Sequence, residues 1–217
     1  MRGGHEIGSG HAPVSVLSNT SRQYGPTIAD IRRDHVARYE FAARYTSGRV
    51  LDAACGCGYG STILHNYGAI RQVVGVDASQ EAIDYANENY PGPTYILGKI
   101  EEAPWEGTFR TIVSLETIEH MEYHDATRAL RAFKAALWPH GIVIVSVPNE
   151  LRYPFNADKF KGDEYPHRRH YTPEQLDELL EGAGFYVTGR HCQHSKSDPG
   201  VVAGTEGDFL IYTVESV

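Results

Sequence analysis

The sequence predicts an α/β domain, a mostly parallel seven-stranded sheet with helices on both faces and a terminal antiparallel hairpin. Three observations carry that expectation. From Arg49 onward, short apolar segments alternate with segments of helical period. Several of the apolar segments, Ile142-Val-Ile-Val-Ser-Val147 above all, are apolar almost throughout, as parallel strands buried on both faces are. The last two strand segments, 185–191 and 208–214, are joined by a polar, glycine-containing stretch rather than a helix, which suits an antiparallel pair.

Taken in order, residues 1–26 are rich in Gly, Ser, His and Asn without a hydrophobic period, and are expected to form a mobile arm. Residues 27–217 are expected to form a single domain. A helix is predicted over 27–45, where Ile28, Ile31, Val36, Tyr39 and Ala43 fall at helical spacing. Strands follow at 49–53, 72–77, 94–98, 111–115 and 142–147, with helices at 60–67, 79–89 and 125–137. A helix over 172–182 begins with Thr172 as N-cap, Pro173 in the first turn and Gln175 closing a capping box. Gly182 and Gly184 stop it. Residues 148–171 form an insertion after the fifth strand, at the end of the sheet where α/β domains bind ligands.

Composition narrows the function. The chain has 217 residues, enough for one domain with a sizeable core. Its net charge of −8 disfavours a broad grip on nucleic acid, leaving only a local patch for an RNA or DNA end. No apolar run is long enough to span a membrane, and the N-terminus lacks a signal-peptide core. Cys55 and Cys57 sit in a glycine turn at C-x-C spacing, which reads as two small reduced residues rather than a zinc or redox site. A cytoplasmic protein is expected. The sequence is silent on oligomeric state.

Residues 50–60 read Val-Leu-Asp-Ala-Ala-Cys-Gly-Cys-Gly-Tyr-Gly. A strand ends in Asp52 and enters a turn with Gly56, Gly58 and Gly60, which lets backbone N–H groups approach a ligand. Asp77 ends the second strand, 21 residues after Gly56, where an acid can chelate the two hydroxyls of a ribose. A nucleoside-containing cofactor is expected. The dinucleotide spacing G-x-G-x-x-G is not met, because Ser61 stands in place of its third glycine.

The turn resembles motif I of class I S-adenosylmethionine-dependent methyltransferases, D-x-G-x-G-x-G, with Ala54 in place of the first glycine. Val74-Gly-Val-Asp-Ala-Ser-Gln-Glu-Ala-Ile83 is similar to motif II, and Trp138-Pro-His-Gly141 to the family's L-x-P-G-G. Gly98-Lys99 departs from the family's frequent Gly-Asp at the adenine. The resemblance covers roughly residues 30–190. It implies a Rossmann-like class I methyltransferase fold with S-adenosylmethionine as cofactor. It places cofactor contacts at Asp52, Ala53, Gly56, Cys57, Gly58, Asp77, Ala78, Ile100 and Leu115. Arg38, on the preceding helix, is a candidate partner for the methionine carboxylate.

Glu116, Glu119 and His120 form an E-x-x-E-H element after the fourth strand. On a helical turn these three share one face. Acids at a helix start are also favoured by the dipole alone. His120, with Glu119, is the candidate general base. With a later histidine, the element supplies oxygen and nitrogen ligands for a divalent ion such as Mg²⁺ or Mn²⁺. The arrangement resembles the metal-dependent small-RNA 2′-O-methyltransferases, and the ubiquinone-biosynthesis O-methyltransferases share a related element. The resemblance implies transfer to oxygen of a small-molecule acceptor, with transfer to nitrogen or to an RNA or nucleotide terminus as alternatives. The expected metal set is Glu116, Glu119, His120 and His170, with His170 preferred to His167 because it directly precedes the helix entry at Tyr171-Thr172. A metal-free His120 base stands beside it, as does a methyltransferase-like binding protein without catalysis.

Overall fold

In the computed structural model, residues 22–67, 72–102, 107–163, 165–194 and 197–216 are described. The bulk of the expected arm, residues 1–21, lies outside them. The strands are β1 (Arg49–Ala53), β2 (Gln72–Asp77), β3 (Thr94–Leu97), β4 (Phe109–Leu115), β5 (Leu137–Pro148), β6 (Phe185–Gln193), β7 (Val201–Ala203) and β8 (Phe209–Ser216). The helices are α1 (Arg33–Ala43), α2 (Tyr59–Asn66), α3 (Gln80–Asn89), α4 (Tyr123–Ala136) and α5 (Pro173–Gly182). One sheet runs β3-β2-β1-β4-β5-β8-β6-β7. The first five strands of that order are parallel, and β8 lies antiparallel between β5 and β6.

The strand order reverses between β1 and β4, so their carboxyl ends open the crevice where such sheets bind ligands. The apolar run of β5 explains the layering. Val143, Val145 and Val147 pack with Leu130 and Phe133 of α4 and with Leu176 and Leu180 of α5. Ile144, pointing the other way, joins Val36, Phe41, Ile63 and Leu64 of α1 and α2.

Two expectations are adjusted. Among the described residues the sheet has eight strands, not seven, because three residues of the connection expected to be irregular pair with the edge of β6 as β7. The first helix starts at Arg33, six residues later than predicted, after a separate 3₁₀ turn at Ile28–Asp30. The capping box at Thr172 and Gln175 forms as read from the sequence. No helix among the described residues is long and apolar enough to cross a membrane.

Candidate active site

The glycine turn is held from below. Asp52 is fully buried and accepts hydrogen bonds from Tyr39 Oη at 3.0 Å and Ser61 Oγ at 2.6 Å. Its carboxylate therefore braces the turn and does not line the cavity above. Gly58 takes φ +89° as the N-cap of α2, and a Cβ there would fall 2.6 Å from that of Ala86. A Cβ at Gly60 would collide with the ring of Tyr39, so α1 and α2 meet across that glycine.

Burial pushes the pKa of Asp52 up to about 7 from 3.8, with the charge of Asp77 adding and the bonds from Ser61 and Tyr39 opposing. Between those values the folded protein keeps a proton that the unfolded chain releases, so stability falls as pH rises through that window. Asp52→Asn stays neutral. Its melting temperature relative to the wild type should rise steadily from pH 4 to pH 8, as read by calorimetry. A flat difference would show that Asp52 titrates normally.

Ala54 adopts φ +60°, left-handed backbone that costs an L-residue about 1–2 kcal/mol. This is where the resembling motif carries glycine. Ala54→Gly should raise stability by roughly 0.5–1 kcal/mol once the extra freedom of glycine in the unfolded chain is set against the relieved strain. A lower midpoint in denaturant would contradict this.

Above the turn lies a cavity of about 310 Å³. Gly56, Cys57, Asp77 and Ala78 line one part, Ile100 and Leu115 another. The Asp77 carboxylate accepts from the backbone N–H groups of Gly56 and Ser79, each at 2.9 Å, and from Arg22 at 2.7 Å. Arg22 also lies over the ring of Tyr165, 4.3 Å from its centroid. It thus joins the chain before α1, the acid at the end of β2 and the insertion. Arg38 lines the cavity too but is almost wholly buried. Gln193 accepts from it at 2.6 Å, the Asp34 carboxylate stands 3.7 Å away, and Phe209 lies under its guanidinium.

The E-x-x-E-H element does not form the expected helical face. Glu116 takes φ +52° at the end of β4, and only Ile118–His120 form a 3₁₀ turn. The reversed backbone turns Glu116 back toward the sheet, where its carboxylate accepts from Ser146 Oγ at 2.8 Å. Glu119 is fully buried, and neither of its carboxylate oxygens has a hydrogen-bond partner among the described residues. Its pKa is driven well above the usual range by burial and then by the charge of Glu116. His120 lines the cavity, with Nε2 3.9 Å from the Glu119 carboxylate. Burial lowers its pKa against the pull of the Tyr165 and Pro166 carbonyls, which keeps the imidazole neutral near pH 7.

Residues of the insertion close this corner. The backbone N–H of Arg168 donates to the Glu119 carbonyl at 2.7 Å, and Tyr171 Oη to that of Ile118 at 3.4 Å. Donor atoms of Glu119, His120 and His167 all lie within 4.8 Å of one another. His170 is outside that group. Because Tyr171 bridges to Asn149, the ring of His170 turns to the Tyr153 carbonyl at 2.6 Å and to His167 at 2.9 Å. Phe160 stacks on His167 with ring centroids 4.1 Å apart. Burial lowers the pKa of His167 to about 3, with His120 and His170 adding to the effect, and burial also lowers that of His170.

A family model described as a methyltransferase domain matches residues 28–189. The chain belongs to this methyltransferase family. A probable S-adenosylmethionine-dependent methyltransferase of Mycolicibacterium smegmatis is 29% identical over 182 residues, covering 82% of this chain and 68% of that protein. A ubiquinone biosynthesis O-methyltransferase of Rickettsia bellii is 26% identical over 151 residues, 64% of this chain and 61% of that protein. Among solved structures, a methyltransferase of Thermotoga maritima described as a possible histamine N-methyltransferase aligns with a TM-score of 0.69 at 21% identity. That alignment covers 86% of this chain and 91% of the other.

Of the residues that the sequence marks for the cofactor, the methyltransferase places seven on the cavity wall and three behind it. Asp52, Ala53 and Gly58 are the three, and they shape the turn from beneath. Beside His120 the geometry groups His167 where the sequence favoured His170, and it leaves Glu116 out of that group, on the cavity wall and bonded to Ser146. Arg22, Gln193 and Tyr165 went unmarked in the cofactor reading. Nothing local distinguishes them: Arg22 and Tyr165 reach the cavity wall from distant parts of the chain, and Gln193 acts from behind it by bonding Arg38.

Proposed function

We propose that this enzyme transfers a methyl group from S-adenosylmethionine to an oxygen of a small molecule bound between His120 and the insertion. One observation carries the reading. His120 lines the same cavity as Asp77, and beside it Glu119 holds a buried carboxyl with no hydrogen-bond partner among the described residues. When bound, S-adenosylmethionine supplies a methyl group made electrophilic by its sulfonium. The protein's share is alignment and removal of a proton. Asp77 is suited to the ribose hydroxyls and Arg38 to a carboxylate. His120, neutral through burial, can take a proton from an acceptor hydroxyl. The relative named as an O-methyltransferase and the net charge of −8 support a small hydroxyl acceptor over a nucleic acid.

Glu119, His120 and His167 fit a divalent cation, because an orphaned buried carboxyl beside two neutral imidazoles is a donor set in want of a centre. Two nitrogens beside one carboxylate favour an ion that accepts imidazole more readily than Mg²⁺ does, such as Mn²⁺ or a later first-row divalent metal. Such an ion would lower the pKa of an acceptor hydroxyl. Three buried free cysteines accord with a reducing, cytoplasmic setting.

The test is a panel of phenols, hydroxy acids, amines and short RNAs incubated with the protein and S-adenosylmethionine. Mass spectrometry should find S-adenosylhomocysteine and one added methyl on a hydroxyl compound. Methylated amines or RNA alone would overturn the acceptor class, and cofactor binding without any turnover would leave a binding protein. A chelator should abolish transfer. Full activity in its presence would assign the proton transfer to His120 unaided.

A further inference from the structure

We infer that His170 is a positioning residue that holds His167 in the tautomer protonated on Nδ1, so that the lone pair His167 can offer is on Nε2. The inference rests on Glu119, His120 and His167 being the acceptor-side group, while the tautomers themselves follow from hydrogen bonding between two neutral rings. His170 Nδ1 meets the Tyr153 carbonyl at 2.6 Å, with the Glu150 carboxylate 3.9 Å away. A carbonyl oxygen only accepts, so the proton of the neutral His170 ring is on Nδ1. His170 Nε2 then carries a lone pair. It faces His167 Nδ1 at 2.9 Å, and two lone pairs cannot share that contact. His167 must donate there. A neutral imidazole has one N–H, so its Nε2 is left bare.

Packing holds the relay in place. Phe160 stacks on the His167 ring with 10° between planes, and Tyr153 stacks on His170 with centroids 5.2 Å apart. The His170 side chain is shut off from solvent. A histidine whose far nitrogen donates to a fixed acceptor is a stronger base and a better ligand through the near one. His170, with no donor atom in the acceptor-side group, therefore acts on it through His167.

The experiment is two-bond ¹H–¹⁵N correlation on the full chain with ¹⁵N-labelled histidine, with His167→Ala and His170→Ala spectra for assignment. Wild-type His167 and His170 should both show the Nδ1–H pattern. His170→Phe keeps the ring volume and removes the acceptor, so His167 should lose that pattern. His170→Gln restores an acceptor and should recover it. Mn²⁺ alone, titrated by paramagnetic resonance, should bind roughly 10–100-fold more weakly to His170→Phe than to the wild type or His170→Gln. An Nε2–H pattern at wild-type His167 overturns the inference, even if His170→Phe fails to fold. So does an unchanged pattern in folded His170→Phe. If the wild type shows the expected pattern but binds no Mn²⁺, the positioning role stands and the metal reading alone fails.

Discussion

Replacing Asp77 by alanine lowers affinity for S-adenosylmethionine at least tenfold. A carboxylate offers roughly four acceptor positions. Gly56, Ser79 and Arg22 take three of them in the present arrangement. Two ribose hydroxyls therefore need one partner to withdraw, and Arg22 is the only side chain among the three. Charge-assisted hydrogen bonds are worth about 1.5–3 kcal/mol, which corresponds to roughly a 10- to 150-fold loss. Calorimetry on Asp77→Ala and Asp77→Asn reads it directly. Unchanged binding in both would remove Asp77 from the cofactor site.

The second large effect is at Glu119, where activity and stability should move in opposite directions. Glu119→Met fills the space with an apolar chain and removes a buried carboxyl that has no hydrogen-bond partner among the described residues. Leaving a polar group so placed costs about 1–3 kcal/mol, so the variant should melt several degrees higher in chelator. With an acceptor found by the screen, its turnover should fall at least about 100-fold, within the range for loss of acid–base machinery. Cofactor binding should persist, because the cavity wall around Asp77 does not include Glu119. A variant that is less stable and fully active would make Glu119 an ordinary core residue.

What the sequence made legible was local. The run of β5, the glycine turn, the acid ending β2 and the Thr172 cap are each specified by neighbours within a few residues, and all appear as read. What it concealed depends on distance or on one backbone angle. Arg38 and Gln193 meet across 155 residues of chain, and Arg22 and Asp77 across 55. The positive φ of Glu116 breaks the i, i+3, i+4 pattern, and nothing in the residue type announces it. The choice between His167 and His170 was set by where the insertion is rooted, which spacing does not reveal.

That root has a consequence for how the molecule can change. Asn149 and Tyr171 sit side by side as a bridge, and the Glu150 N–H donates to the Tyr171 carbonyl at 2.9 Å. The Asn149 side chain further ties the junction to the carbonyls of Thr205 and Gly207. The stretch between leaves and re-enters the sheet at that stapled root, so its length is decoupled from the strands. Doubling such a loop adds only about 0.6 kcal/mol of closure entropy. The segment is thus free to vary in length, and what binds its residues to the cofactor side is the packing of Tyr165 on Arg22, which pairs with Asp77.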